Sequence, residues 1–242
     1  MNTKSLGWIP IVATLLAGCS SNGGNAVANP DASTPKSGSG TTAPEPKSGG
    51  DAITIAYKPK LGATTTYDVK MEMLGGPPPG GLAVKMKVTP KDAGGGKINV
   101  ESVTEGLPVV GNVTSIAMLG PDGKLIKVTT NGKEAPKGSE GVPGKGFLPD
   151  RPVKVGDTWG GTYSISGRPS GIECRLDKVE SVGGTQLATI AIDKIDVPEF
   201  TLAEPGVAVV ETATGLLRSM RMPVTMKFNQ QPVTTVFTME RK

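Results

Sequence analysis

Apolar residues recur at every second position through most of this chain after residue 60, and this alternation constrains the fold more than any other feature. Tyr67, Val69, Met71 and Met73 share one parity, and the longest series runs through positions 220, 222, 224, 226 and 228. Side chains alternate between the two faces of a β-strand, so a strand with one buried face gives this pattern. Turn residues separate the runs, and Gly and Pro together supply 55 of 242 residues. The sequence therefore predicts an all-β body.

Three short segments of the first half recur in the same order in the second half. Segment 61–64, before Tyr67, resembles segment 155–158, before Tyr163, at an offset of 94 residues. Segments at 84–94 and 120–125 have counterparts at offsets near 90 and 92. These matches predict two β-meander repeats of about 90 residues, at about 51–135 and about 150–242. Either repeat alone would expose sheet edges and an apolar face. We therefore expect one β domain at 51–242, forming one curved antiparallel sheet, an open barrel or a sandwich.

Two glycine- and proline-rich segments interrupt the alternating pattern. Residues 131–154 are too long for a simple turn, so we expect them to cross between the repeats, anchored by Phe147 and Leu148. Residues 75–81 read Gly-Gly-Pro-Pro-Pro-Gly-Gly, which indicates a stiff connector between two strands. A proline-dependent docking site is the alternative interpretation of that loop.

The first eighteen residues have the properties of a signal peptide. Lys4 supplies a positive start, and residues 6–17 are mostly apolar but fall short of the roughly 20 apolar residues that span a bilayer. The following Leu16-Ala17-Gly18-Cys19 resembles the lipobox of bacterial lipoproteins. The resemblance implies cleavage after residue 18, a diacylglycerol on the thiol of Cys19, and the membrane as a partner through that anchor. An ordinary secretory signal that contains a cysteine is the alternative.

Residues 19–50 are interpreted as the lipidated cysteine and a disordered tether. Apart from Ala and Pro, the only apolar side chain in residues 20–50 is Val27, so this segment cannot bury enough surface to become ordered. A flexible chain of this length has a root-mean-square reach of about 30 Å. Because Ser20, and not Asp, follows Cys19, the lipoprotein resemblance favours the outer membrane, facing the periplasm or the cell surface, if the cell has one.

Residues 152–159 read Pro-Val-Lys-Val-Gly-Asp-Thr-Trp. This stretch resembles the Pro-Val-x-Val-Gly-Asp-x-Trp stretch of an uncharacterised family of exported β-rich bacterial proteins, many of which have lipoboxes. That family offers no established activity to transfer, and the resemblance implies only an all-β, envelope-associated protein. Physically, Val-Gly-Asp predicts a turn and Trp159 begins a strand, so the stretch is interpreted as a structural corner.

Composition excludes several kinds of chemistry. The chain has no His, which removes Ser-His-Asp triads and His-ligated metals, and its two Cys cannot form a four-thiolate zinc site. The net charge of +4 falls to +3 once Lys4 is removed, and no run of three basic residues suggests nucleic acid as a partner. We therefore expect no catalytic residues, cofactor or metal. Asp150 and Asp157 are the candidate carboxylates of the least favoured alternative, a His-free hydrolase.

Sulfur-containing side chains are the remaining candidates. Cys174 shares parity with Ile172 and Leu176, which predicts an inert, buried thiol. The methionines are expected to fill gaps in a core that is poor in aromatic residues; Cu(I) binding is an alternative for closely spaced pairs. Six of them could also line an apolar cavity, because flexible thioether side chains suit adaptable binding surfaces. These six are Met71, Met73, Met86, Met220, Met222 and Met226.

The sequence thus favours a lipid-anchored protein of the cell envelope with a noncatalytic interaction or structural role. Its partner beyond the membrane would then be another envelope protein. The alternative is a carrier or sensor that holds an apolar ligand in a methionine-lined β cavity, for which a cavity of several hundred cubic ångströms is typical.

Overall fold

A computed structural model describes residues 51–242 except 56, 75–80, 109–110, 121–124, 135–146, 166–167, 198–199 and 229–230. The side chains of residues 162–165, 168–170, 196–197, 200, 226–228 and 231 lie outside this description as well. The predicted signal peptide, Cys19, the tether and nearly all of the 75–81 loop therefore fall outside the described residues. No helix in the described part is long and apolar enough to cross a membrane.

The described residues form an all-β protein, as the alternating pattern predicts. They build one sheet of thirteen strands in which every pairing is antiparallel. The strands are β1 (Thr65–Leu74), β2 (Gly81–Gly94), β3 (Lys97–Leu107), β4 (Gly111–Leu119), β5 (Leu125–Thr130), β6 (Lys133–Glu134), β7 (Thr158–Ile165), β8 (Arg168–Val182), β9 (Thr185–Val197), β10 (Phe200–Leu202), β11 (Gly206–Glu211), β12 (Leu217–Phe228) and β13 (Gln231–Arg241).

The strand order joins the two halves of the chain through their first and last strands. It runs β6-β5-β4-β3-β2-β1-β13-β12-β10-β9-β8-β7, and β11 pairs with both β12 and β9. Sequential hairpins build each half, and the pairing of β1 with β13 closes the seam between the halves. The order ends at β6 on one side and β7 on the other. Of the three predicted arrangements, a single open sheet is therefore the one observed.

One face of this sheet carries the core, and the sheet curves over it. Val100 on β3 and Leu176 on β8 belong to the same buried cluster, although seven strand spacings, about 34 Å along a flat sheet, separate their strands. Leu176, Ile190 and Val210 are 0% exposed. Among the described residues no second sheet or helix layer lies on this face, so such burial requires curvature. We call it the concave face.

Two segments outside the strands complete the core: the first at 53–57 and the second at 147–153. Ile53 and Val153 exchange backbone hydrogen bonds of 2.8 and 2.9 Å, and Val153 is fully buried. Ile55 and Tyr57 follow on the first segment and are also buried. On the second segment, Phe147 and Leu148 join the same cluster, which confirms their predicted role as anchors.

Two turns at matching positions support the predicted internal repeat. Ala63 N–H donates to Lys60 O over 3.1 Å, and 94 residues later Asp157 N–H donates to Lys154 O over 2.9 Å. Gly62 and Gly156 hold the third position of each turn with φ of 77° and 92°, the left-handed region that favours glycine. Each glycine then donates its N–H to the second strand of its half, at Pro90 O and Leu176 O.

Candidate functional site

The concave face gathers most of the predicted methionines onto three adjacent strands. In one row Met71 of β1, Phe237 of β13 and Met222 of β12 are direct cross-strand neighbours. The next row contains Val69, Met239 and Met220. We call these six residues the methionine block. Met220, Met222 and Met239 are buried in the main core, and Met71 and Val69 pack against it.

The other methionines surround this block or lie away from it. Met86 is buried beside Tyr67 on the same face. Met73 shares the face but is 48% exposed, because β1 extends beyond the core there. Met226 belongs to β12, and its side chain lies outside the described residues. Met118 pairs with Asn99 and Lys127 on the opposite face, so it is not part of the core.

The methionine block ends at a partly open apolar rim. Val84, Leu107 and Val113 form a second, smaller cluster there, against which Val69 and Leu82 pack. Thr235 lies between Met73 and Val224 in the cross-strand register. It is 1% exposed, and its hydroxyl has no hydrogen-bond partner. A buried hydroxyl without a partner is unusual, since most buried polar groups are hydrogen-bonded.

A pocket lies elsewhere, where the 57–65 segment crosses the sheet. Its lining includes none of the six predicted methionines, and its volume is about 50 Å³. That volume would hold no more than a few atoms of a ligand, whereas small-molecule sites typically enclose about 300–1,000 Å³. The lining residues are Tyr57, Pro59, Lys60, Ala63, Thr65, Tyr67, Val88, Pro90, Leu216 and Leu217.

Cys174 lies deep in the core, as predicted. It is 1% exposed and pairs with Trp159 on one side and Ile192 on the other. Burial raises the pKa of its thiol to about 12, and the negative charge of Asp193 adds to the effect. The thiolate is the reactive form of cysteine, so this side chain is chemically inert at neutral pH.

The segment around Asp157 is a structural corner. Asp157 Oδ2 accepts the N–H of Lys154 over 2.9 Å and lies 3.7 Å from Arg151 Nη1, so its carboxylate stabilises the turn that precedes β7. The indole N–H of Trp159 donates to Phe147 O over 3.0 Å, which fixes the end of the long connection. These contacts give Asp157 and Trp159 structural roles in this corner. Asp150 is exposed at the surface.

A partly buried ion pair was not predicted from the sequence. Arg241, near the end of β13, donates to Glu211 Oε1, and the Thr214 hydroxyl donates to Glu211 Oε2 over 2.9 Å. The two charged side chains are only 14% and 18% exposed. The hydrogen bond from Arg241 is the main reason that the pKa of Glu211 lies below its usual value. Sequence patterns gave no signal for this contact, since thirty residues separate its partners.

The remaining acidic residues do not converge on a metal site. Within the described ranges, no group of three or more Cys, Asp or Glu side chains could hold a metal ion. Several acidic residues instead pair with lysine or arginine on neighbouring strands, as Glu105 does with Lys87 and Glu101 with Lys91. This arrangement is that of a solvated sheet face.

No protein-family model matches the chain, and no curated protein matches it either. Solved structures give low-scoring similarities. A DUF1329 family protein from Desulfovibrio piger has a TM-score of 0.31 and 8% identity, over 74% of this chain and 83% of that one. A LolA superfamily protein from Nitrosomonas europaea has a TM-score of 0.30 and 10% identity, over 77% and 86%. A putative outer membrane lipoprotein-sorting protein domain from Vibrio parahaemolyticus has a TM-score of 0.24 and 9% identity, over 74% and 85%.

Proposed function

We propose that this chain is a lipid-anchored protein of the cell envelope, in which a β domain on a tether has a noncatalytic interaction or structural role. The observation that carries the proposal is the order of three parts: a lipobox-like Leu16-Ala17-Gly18-Cys19, a polar segment to residue 50, and a packed sheet after it. A long polar segment between a membrane anchor and a folded domain lets the domain reach partners away from its point of attachment. In a cell with two membranes, Ser20 favours the outer one.

Two observations support a noncatalytic role. The thiol of Cys174 is buried with a pKa of about 12, so it is not a nucleophile at neutral pH. Asp157, one of the two carboxylates considered for hydrolysis, is engaged in a turn with Lys154 and near Arg151. General acid–base work requires carboxylates that face a shared reacting atom.

The lipid anchor is tested by replacing the cysteine that would carry it. In the native host, Cys19→Ala should move the protein from the membrane fraction to the soluble fraction and abolish incorporation of labelled fatty acid. Cys174→Ala is the matched control, because it removes the other cysteine from the buried core and leaves the anchor intact. An unchanged membrane fraction and label in Cys19→Ala would overturn the proposal.

The second candidate function is a carrier or sensor of an apolar ligand. The open rim of the methionine block favours it, since Met71 and Leu82 are half-buried and Met73 is 48% exposed. The pocket of about 50 Å³ does not, because an acyl chain needs several hundred cubic ångströms. A carrier would therefore have to open the sheet along this rim.

Mass spectrometry of the protein purified from its own cell envelope separates these two functions. The intact chain is measured first under native conditions and then after denaturation. A stoichiometric apolar species that leaves on denaturation would establish the carrier. A bare chain mass from several mild preparations would favour the interaction or structural module.

A further inference from the structure

Three turns meet at one end of the curved sheet, and backbone hydrogen bonds connect them. Lys58 N–H, just before the turn at 60–63, donates to Thr214 O over 2.9 Å. In the same β11–β12 turn, Thr212 N–H donates to Gln186 O over 3.0 Å. Gln186 is the second residue of β9, directly after the Gly183-Gly184 turn that ends β8. We call this end of the domain the turn end.

Two of these turns present large apolar side chains to solvent. Leu61 is 50% exposed at the 60–63 turn, and Val182 is 55% exposed where β8 ends. Both turns use glycine in backbone conformations with positive φ, at Gly62, Gly183 and Gly184. Single exposed apolar residues are common on proteins, but here two of them lie on turns that the β11–β12 turn connects.

The positive charge comes from Lys58 and Lys60, which precede Leu61 in the chain. Both side chains are exposed, and no described residue forms an ion pair with either of them. Glu211, at the end of β11, pairs with Arg241 and not with either lysine. Several lysines of the strands, such as Lys87, Lys91, Lys178 and Lys194, have acidic partners instead.

The length of the chain limits how far the start of the domain can lie from this end. Asp51 is the first described residue, and Lys58 lies seven positions after it. A fully extended chain spans at most about 3.6 Å per residue, so this entry point lies within about 25 Å of the turn end. A lipid anchored at Cys19 therefore holds the turn end at high local concentration near the bilayer.

We propose that the turn end rests on the surface of a bilayer that contains anionic phospholipid, with Leu61 and Val182 inserted between headgroups and Lys58 and Lys60 on the phosphates. Apolar side chains buried at the interface and lysines near anionic lipid are the two contributions that hold peripheral proteins on membranes. This proposal rests on the proposed lipid anchor. The anchor would set the distance of the domain from the membrane, and the turn end would set the orientation of the domain.

The test uses the full mature chain with Cys19→Ala, so that no lipid contributes to binding. Sedimentation with vesicles of phosphatidylglycerol and phosphatidylethanolamine is compared with sedimentation with phosphatidylcholine vesicles. We expect binding to the anionic vesicles only, weakened by salt. Lys58→Glu with Lys60→Glu should lower the partition coefficient at least 20-fold, because each lysine near an anionic surface contributes about fivefold. Leu61→Ser with Val182→Ser should lower it by a similar factor.

Matched controls come from elsewhere on the sheet. Val207→Ser changes an apolar residue that is 40% exposed on β11, and Lys70→Glu changes an exposed lysine on β1. Both should bind vesicles within about twofold of the parent chain. Equal binding to both vesicle types, no binding to either, or equal losses in the controls would overturn the inference. If Cys19 is not lipidated, the Cys19→Ala fractionation shows it. The vesicle result does not depend on that outcome, because the chain used there has no lipid.

Discussion

At the scale of single residues, burial determines what Cys174 contributes. Its thiol keeps its proton up to about pH 12 in the folded domain, whereas an unfolded thiol ionises near its usual pKa of 9.0. The unfolded state therefore binds fewer protons than the folded state above pH 9, so the free energy of unfolding falls as pH rises toward 12. The expected slope is about 1.4 kcal/mol per pH unit. Urea unfolding at pH 8 to 11 measures it.

Cys174→Ala supplies the control for that slope, because lysines and tyrosines also titrate in this range. The variant should lose about 1–2 kcal/mol of stability at pH 7 from the small cavity, but its stability should fall less steeply above pH 9. Parallel pH profiles for the two proteins would contradict the burial of the thiol.

At the scale of strands, the edge strand β7 depends on a close approach that only glycine permits. A Cβ atom added to Gly160 would lie 2.1 Å from Ile172 O on β8, whereas one added to Gly161 would have no atom within 4 Å. Ile172 O is a backbone atom and cannot move aside as the end of a flexible side chain can. Gly160→Ala should therefore destabilise the domain by about 2 kcal/mol or more. Gly161→Ala should change stability by less than about 1 kcal/mol. Equal midpoints in urea would show that β7 does not pack in this register.

The end of β13 is fixed by the ion pair between Arg241 and Glu211. Glu211→Gln should lower the free energy of unfolding by about 2 kcal/mol at pH 7, between the values for exposed and fully buried pairs. The lowered pKa of Glu211 means that its contribution exists above the usual value of 4.5 and is lost as pH falls through the folded-state pKa. Wild-type stability should therefore fall more steeply below pH 4.5 than that of the variant.

Asp68→Asn is the matched control for the Glu211 variant. Lys242 also lowers the pKa of Asp68, through a hydrogen bond, but this pair lies at the surface, with side chains 61% and 31% exposed. Thermal unfolding should barely distinguish Asp68→Asn from the wild type. A loss of stability equal to that of Glu211→Gln would mean that burial does not strengthen the pair of Arg241 and Glu211.

Local pattern and long-range pairing differ in how far the sequence can predict them. The parity of Ile172, Cys174 and Leu176 correctly predicts a buried strand face, because alternation is a local property. The pairing of β1 with β13 joins residues about 170 positions apart, and nothing in either strand specifies that partner. The same limit applies to Met73. Its parity correctly places it on the concave face, but its exposure depends on where the neighbouring strands end.

At the scale of the whole molecule, the two halves share one core. Val100 and Leu119 from the first half belong to the same buried cluster as Leu176 and Ile190 from the second. Eight residue pairs of β1 and β13 connect the halves along the seam. Neither half can therefore bury its apolar face without the other, although the sequence predicts each as a repeat of about 90 residues.

This shared core predicts that the domain unfolds in one cooperative transition. Trp159 is the only tryptophan of the chain once residue 8 is removed with the signal peptide, so its fluorescence reports on the second half alone. Far-ultraviolet circular dichroism reports on strands from both halves. The two signals should give the same urea midpoint, as a two-state transition requires. A chain that ends before Gln231 should lose both signals together, because removing β13 leaves β1 and β12 without a common neighbour. Two separated transitions, or a folded first half in the shortened chain, would show instead that the repeats are independent domains.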